Sequence, residues 1–423
     1  MAHSSPVSEQ YTRRMLSAQR ILQRCDALAA HSELAGGLTR VFMSPQSRAV
    51  NELVLAWMRE AGMAARLDAI GNVCGRYEGE RLGQPCLLMG SHLDTVRNAG
   101  RYDGMLGVVS AIECIDFLNS QKKRLPFALE VVGFGDEEGV RFGTTLLGSR
   151  AVAGTFDKNV LHAADSSGKS LEKSLADFGL DPKRIPEAAK KKGEVLAYAE
   201  LHIEQGPVLE AEGLPVGVVT AINGFSRLRA TLAGTAGHAG TVPMSLRRDA
   251  LAAAAECVLA VERIGRGTPE LVATVGKLEA LPGAINVIPG DVSFTVDVRA
   301  PRDDLRNKAV EEIRNATTTI CDRRRIRLKI EELQSQGVAA CAPWLMAQMD
   351  AAVAAEGLKL RRLPSGAGHD GMAIQAIADI CMLFVRCKGG ISHHPAESIT
   401  EADAGAGARV LARFIEHFLP RRP

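Results

Sequence analysis

The chain has 423 residues, 46% of them hydrophobic, which is long enough for two domains and ordinary for a globular protein. Acids and bases nearly balance at a formal charge of +2 and aromatic residues are only 4%, so neither a phosphate-neutralising surface nor stacking platforms are indicated and no nucleic-acid partner is expected. The nine cysteines are scattered with no Cys-x-x-Cys, residues 1–14 carry no apolar leader, and the most apolar run, 251–261, is short and broken by Glu256; a soluble, cytoplasmic protein with reduced thiols and no membrane contact is expected.

Periodicity predicts a helix over 9–31 and another opened by Ser44-Pro45, an N-cap and first-turn pair, and running to Ala61. Strands are expected at 63–76 and 85–89, a helix at 107–119 and a strand at 128–134, an alternation that favours α/β layers. The signal softens over 153–195, where Lys190-Lys191-Lys192 reads as solvated surface. A strand at 197–203 then leads into Glu204-Gln205-Gly206-Pro207.

From Gly213 the pattern changes. Strands at 216–222, 225–232, 271–278, 291–299 and 327–331, with helices at 245–264 and 303–323, form an α+β module inserted into the larger domain. The basic run 323–327 falls at a helix-to-strand junction, where a helix terminus and an edge strand account for it. A helix at 344–356, a glycine-rich stretch at 365–371, a strand at 380–385, the segment 390–397 and a helix at 401–418 complete the chain.

The polar residues cluster where strands end, the place where open α/β sheets put their sites. Gly90-Ser91-His92-Leu93-Asp94-Thr95 follows one strand, Tyr102-Asp103-Gly104 comes next, and Gly135-Asp136-Glu137-Glu138-Gly139 follows another. An imidazole with several carboxylates and no thiolate is a nitrogen and oxygen set suited to Zn, Mn, Co or Ni. Asp94 is placed to orient the His92 ring, and adjacent glutamates divide naturally into a metal ligand and a base.

With GSHLDTVRNAGRYDG, GDEEGVRF, LHIEQGP, GHAGTVPM, INVIPG, DVRAP, SGAGHDG and ISHHPAES in order along nearly the whole length, the chain resembles the dinuclear-metal amidohydrolase branch of the M20 peptidase family. That branch holds N-carbamoyl-L-amino-acid hydrolases, β-ureidopropionases and allantoate amidohydrolases. The resemblance implies an α/β, two-domain fold: a metallopeptidase-like catalytic domain with a mixed sheet flanked by helices (1–212 and 332–423), and an inserted α+β lid and dimerisation domain (213–331). It implies two divalent ions per chain, Mn or Zn foremost. One would be held by His92, Asp103 and His202, the other by Asp103, Glu138 and His393, the family pattern Ser-His-x-Pro-x-Glu favouring His393 over His394.

On the same resemblance Glu137 is the base, Asp94 holds His92, and His238 meets the oxyanion from the other subunit of a homodimer. Gln205, His238, Asn286, Arg299 and His369 would bind substrate. Arg299 suits a carboxylate on physical grounds as well, since Thr295, Asp297 and Arg299 share one strand face and a guanidinium fork matches a carboxylate. The expected reaction is hydrolysis of a ureido acid with release of ammonia and carbon dioxide. The HLDTVRNAGRYDG segment resembles allantoate-type sequences, so allantoate leads and N-carbamoyl-L-amino acids follow. A dinuclear aminopeptidase or dipeptidase is a different class on the same scaffold, and a non-catalytic metal-bearing protein would have lost a ligand or the base.

Overall fold

The strand Cys86–His92 is buried at every position, as are Ala128–Phe134 and Ile380–Val385. Such runs belong in a sheet covered on both faces. In the computed structural model, which describes residues 16–421, they form the middle of a mixed sheet. Numbered along the chain, the strands are β1 (Ala64–Leu67), β2 (Val73–Tyr77), β3 (Cys86–His92), β4 (Ala128–Phe134), β5 (Val195–Ile203), β6 (Val216–Ile222), β7 (Gly224–Ala233), β8 (Gly237–His238), β9 (Val272–Leu281), β10 (Val287–Ile288), β11 (Asp291–Ala300), β12 (Arg327–Gln336), β13 (Ala339–Ala340), β14 (Arg362–Ser365) and β15 (Ile380–Val385).

The large sheet has the order β1-β2-β4-β3-β5-β15-β6-β13, with β14 beside β6. Its four central strands, β4, β3, β5 and β15, are parallel, so their C-terminal ends emerge along one edge. The flanking strands β2 and β6 are antiparallel to them. This is the mixed α/β architecture expected from the alternation.

The chain divides into two compact units. The first runs to Thr220 and resumes at Cys341–Leu363 and from His369; the second is Ala221–Ala340 with Pro364–Gly368. In the second unit a four-stranded antiparallel sheet, β12-β7-β11-β9, packs one face against helices Ala250–Gly267 and Asp303–Arg324. β11 alternates accordingly: Val292, Phe294, Val296 and Val298 enter that core while Thr295, Asp297 and Arg299 take the opposite face.

Several elements differ from expectation. The strand predicted at 63–76 is a hairpin, because Asp68 Oδ1 accepts from the N–H groups of Ile70 and Asn72 and Gly71 takes φ +92°. The helix predicted from Ser245 starts at Ala250, where Asp249 accepts from Ala252 N–H as N-cap. The first helix is Ala18–Ala29, and the expected residues 9–15 lie outside the described ones. No helix among the described residues is long and apolar enough to cross a membrane, and all nine cysteines are free and buried.

Candidate metal centre

The parallel strand ends carry the candidate residues. His92 closes β3, Glu137 and Glu138 follow β4, His202 is the penultimate residue of β5, and His393 lies in the loop after β15. Asp103 sits between β3 and the helix Met105–Ser120. Gly104, at φ +73°, is needed here: a Cβ would lie 2.6 Å from the His92 ring.

Two donor groups result, His92 with Asp103 and His202, and Asp103 with Glu138 and His393, the candidate atoms of each lying within 4.8 Å of one another. Asp103 belongs to both. His92 and Glu137 form a further such group with Glu138.

The hydrogen-bond chemistry of the first group asks for a cation. His92 Nδ1 and His202 Nδ1 lie 3.0 and 2.9 Å from the main-chain oxygens of Asp94 and Ile203. A carbonyl only accepts, so each Nδ1 holds the proton and each neutral ring turns an Nε2 lone pair the other way. Both Nε2 atoms face Asp103 Oδ1, at 3.4 and 3.2 Å, and no other hydrogen-bond donor among the described residues reaches that buried oxygen. His202 Nε2 accepts from Gly104 N–H at 3.2 Å, and the remaining converging lone pairs, of His92 Nε2 and Asp103 Oδ1, are satisfied by a metal ion or by protons. Burial opposes charge on His92, but Asp103 and the other carboxylates outweigh it and hold its pKa well above the usual value. A divalent ion would displace those protons.

In the second group His393 Nε2 is 3.2 Å from Asp103 Oδ2 and 3.4 Å from Glu138 Oε1. Gln205 Nε2 donates to Asp103 Oδ2 at 3.0 Å and supplies an N–H among these acceptors. Burial raises the carboxyl of Glu137 well above its ordinary range, with Glu138 adding to the effect, and burial raises Glu138 to about 7. Apart from the His393 imidazole beside Glu138, neither carboxyl has a cationic side chain as partner among the described residues, which again fits a place for a metal.

Some expected contacts differ in kind. Asp94 meets His92 through its main-chain oxygen; its carboxylate stands 3.9 Å from Nδ1 and instead accepts from the N–H groups of Glu137 and Glu138 at 3.0 and 3.2 Å. The turn after β4 brings those two amides onto the side chain, leaving the nearer carbonyl for the ring. His369 is 1% exposed and packs edge-on against His202 with centroids 4.4 Å apart. His394 Nδ1 accepts from Ala396 N–H, so of the two neighbours it is His393 that faces Asp103.

Two buried carboxylates were missed by sequence reasoning. Glu200 accepts from Ser91 Oγ at 2.9 Å and Tyr198 Oη at 3.0 Å and groups with His202 and His369. Its spacing of two from His202 on one strand face could have revealed it. Glu397 accepts from the N–H groups of Tyr102 and Asp103. It closes the ISHHPAE segment, which gave no hint of its partners.

The second unit holds the other candidates. β8 pairs with β10, setting His238 opposite Val287, and Asn286 O accepts from Ala239 N–H. Gly240 N–H donates to His238 Nδ1 at 3.0 Å, so the neutral ring carries its proton on Nε2, and the side chain is exposed. Arg299 is held by Asp297 through two bonds, of 2.9 and 3.0 Å, and donates to Gly366 O at 2.8 Å.

The Peptidase family M20/M25/M40 profile matches residues 88–417. An N-carbamoyl-L-amino acid amidohydrolase of Geobacillus stearothermophilus is 43% identical over 398 residues, covering 94% of this chain and 97% of that protein. An allantoate deiminase of Arabidopsis thaliana is 39% identical, covering 93% and 81%. Among solved structures, an amidase of the hydantoinase/carbamoylase family from Burkholderia multivorans superposes with a TM-score of 0.89 at 33% identity, over 96% of this chain and 98% of that one. The chain therefore belongs to the M20/M25/M40 peptidase family, in its branch of amidohydrolases that cleave C–N bonds other than peptide bonds.

Proposed function

We propose that the protein hydrolyses the ureido C–N bond of a ureido acid, with allantoate the leading substrate, using two divalent ions held by His92, Asp103 and His202 and by Asp103, Glu138 and His393. The observation that carries this reading is the pair of donor groups sharing Asp103, with Glu137 beside them. Mn or Zn comes first and Co or Ni can also occupy a nitrogen and oxygen set of this kind. When bound, such a pair of ions supplies a nucleophile from water at neutral pH and polarises the ureido carbonyl.

The chain's own groups do the rest. Glu137, buried and raised in pKa, takes the proton as water attacks the carbonyl carbon and returns it to the departing nitrogen as the C–N bond breaks. Ammonia leaves, and the N-carboxylated amine that remains loses carbon dioxide to give the free amine. His238 Nε2–H donates to the oxyanion, and we assign this role to the partner subunit's copy in a homodimer assembled through the inserted module, which also acts as lid. Arg299 grips the substrate carboxylate with the N–H groups that Asp297 and Gly366 O leave open, aided by the exposed Asn286. Gln205 borders the second ion and accepts a ureido N–H through its free Oε1. His369, buried against His202, fixes that ring rather than touching bulk solvent.

N-carbamoyl-L-amino acids are the second reading, favoured by the 43% identity to an N-carbamoyl-L-amino acid amidohydrolase. They share the ureido group and carboxylate, so the same residues serve. Ammonia release from allantoate, ureidoglycolate, N-carbamoyl-amino acids, 3-ureidopropionate and dipeptides tests the assignment. Turnover of a ureido acid is expected; a preference for dipeptides would overturn it.

A further inference from the structure

Glu397 is in neither donor group, yet it joins the two loops that complete the second one. Asp103 comes from the loop after β3 and His393 from the loop after β15, and Glu397 lies 295 positions beyond Tyr102 in the chain. Its Oε1 accepts from the main-chain N–H of Tyr102 at 2.8 Å and of Asp103 at 3.1 Å, and its Oε2 accepts from Ser392 Oγ at 3.0 Å. The side chain is 3% exposed, and it fits only because residue 100 is glycine: a Cβ there would lie 2.3 Å from Glu397 Cβ.

Ser392 extends the link. Its hydroxyl is also 3.2 Å from Asp103 Oδ2, so two carboxylates compete for one proton, while its oxygen accepts from Gln205 Nε2 at 3.1 Å. Lys388 N–H bonded to Ser398 O at 2.8 Å, Glu397 N–H to His394 O at 3.0 Å and Gly389 N–H to Glu210 Oε2 at 2.7 Å hold the loop's backbone, but none of them fixes the His393 side chain. Gly389, Gly390 and His393 all take positive φ, at 66°, 64° and 55°, and the His393 side chain is half exposed. A non-glycine residue in the left-handed region is strained by about 1–2 kcal/mol, so neither local preference nor burial keeps the imidazole facing Asp103.

We propose that Glu397 is a positioning residue for the second metal ion: by bonding the Tyr102 and Asp103 amides on one side and Ser392 on the other, it holds Asp103 and His393 in register. The inference rests on the two-ion reading above. It predicts an asymmetry, because His92 and His202 stand on strands β3 and β5 and need no such latch. Glutamine at 397 keeps one acceptor for the amides but turns N–H toward Ser392, whose oxygen can accept it. Half of the latch survives.

The test is titration of metal-free protein with manganese(II) chloride, read by calorimetry and by electron paramagnetic resonance, for the wild type, Glu397→Ala, Glu397→Gln and Ser392→Ala. Circular dichroism and the denaturation midpoint of each metal-free protein serve as the folding control. The wild type should bind two ions. Glu397→Ala should weaken the second ion by about 10- to 100-fold, the usual range for losing a partner that orients a ligand, and the first far less, since Asp103 serves both ions but His92 and His202 stay fixed on their strands. Glu397→Gln should fall between. An unchanged second ion, or equal loss of both, would overturn the inference. If Glu397→Ala does not fold, Ser392→Ala carries the same test, with selective weakening of the second ion expected and an unweakened second ion overturning it. A wild type that binds fewer than two ions would overturn the two-ion reading itself, a result distinguishable because it is read on the unaltered chain.

Discussion

Asparagine at position 94 separates two accounts of what Asp94 does. If its carboxylate orients His92, Asp94→Asn should weaken the ion held by that imidazole. The distances say otherwise, since the ring is held by the main-chain oxygen at 3.0 Å and the carboxylate is 3.9 Å away. What the substitution disturbs is the pair of bonds from Glu137 N–H and Glu138 N–H, at 3.0 and 3.2 Å, to a carboxylate only 4% exposed. Asn keeps one acceptor and presents N–H to the other amide, so one bond to a charged acceptor is lost, an effect of about 1.5–3 kcal/mol. If that loss falls on the geometry of the Glu137 base in the transition state, kcat drops by about 10- to 150-fold at 1.36 kcal/mol per tenfold. The assay is steady-state ammonia release with saturating metal, beside manganese titration of the metal-free protein. A fall in kcat with the His92 ion bound as in the wild type is expected. Normal kcat with selective loss of that ion would refute the reasoning.

Other outcomes follow from the same geometry. Glu137→Gln should retain both ions and lose about 10²- to 10⁴-fold in kcat, the range for removing a general acid or base, whereas Glu138→Gln should weaken the second ion; swapped phenotypes in kinetics and metal titration would reverse the assignment. Mixing a His238→Ala chain with a Glu137→Gln chain, each nearly inactive, should recover activity in heterodimers if His238 acts in trans, and proven subunit exchange without recovery would place its action in its own chain. Glu113, fully buried on the helix Met105–Ser120, accepts from Ser17 N–H and from Arg20 Nε and Nη2; because Arg20 is partly exposed and keeps Asp116 as a partner, Glu113→Ala should lower unfolding free energy by about 1.5–3 kcal/mol, the range for hydrogen bonds to a charged group, and a denaturant midpoint unchanged from wild type would contradict that.

How much was legible in the sequence depended on where each residue's partners lie. The strand before Gly90 announced itself as an apolar run and the one before Gly135 as an apolar run interrupted only by Glu130, and with them the polar residues at their ends; the metal-like chemistry of His92, Asp103, Glu137 and Glu138 could be read from residue type and place. His202 and His393 looked ordinary alone and gained meaning only through the resemblance. The bonds from Glu397 to Tyr102 and Asp103 were invisible because those partners are main-chain amides 295 and 294 positions away, and an amide N–H leaves no mark in a sequence. Asp94 was half read: its nearness to His92 follows from the i, i+2 spacing, but which of its oxygens meets the ring depends on a turn formed only when β4 lies beside β3. The hairpin at 63–76 was missed because Asp68 and Asn72 act through side-chain bonds inside what reads as a continuous extended run.

If two divalent ions share Asp103 and together support ureido-acid hydrolysis, metal content and activity must rise and fall together. Elemental analysis of metal-replete protein, taken alongside its rate of ammonia release before and after chelation, tests this most directly. Two ions per chain, with activity lost on chelation and restored by adding metal back, is the predicted result; one ion or none in a fully active sample would contradict it.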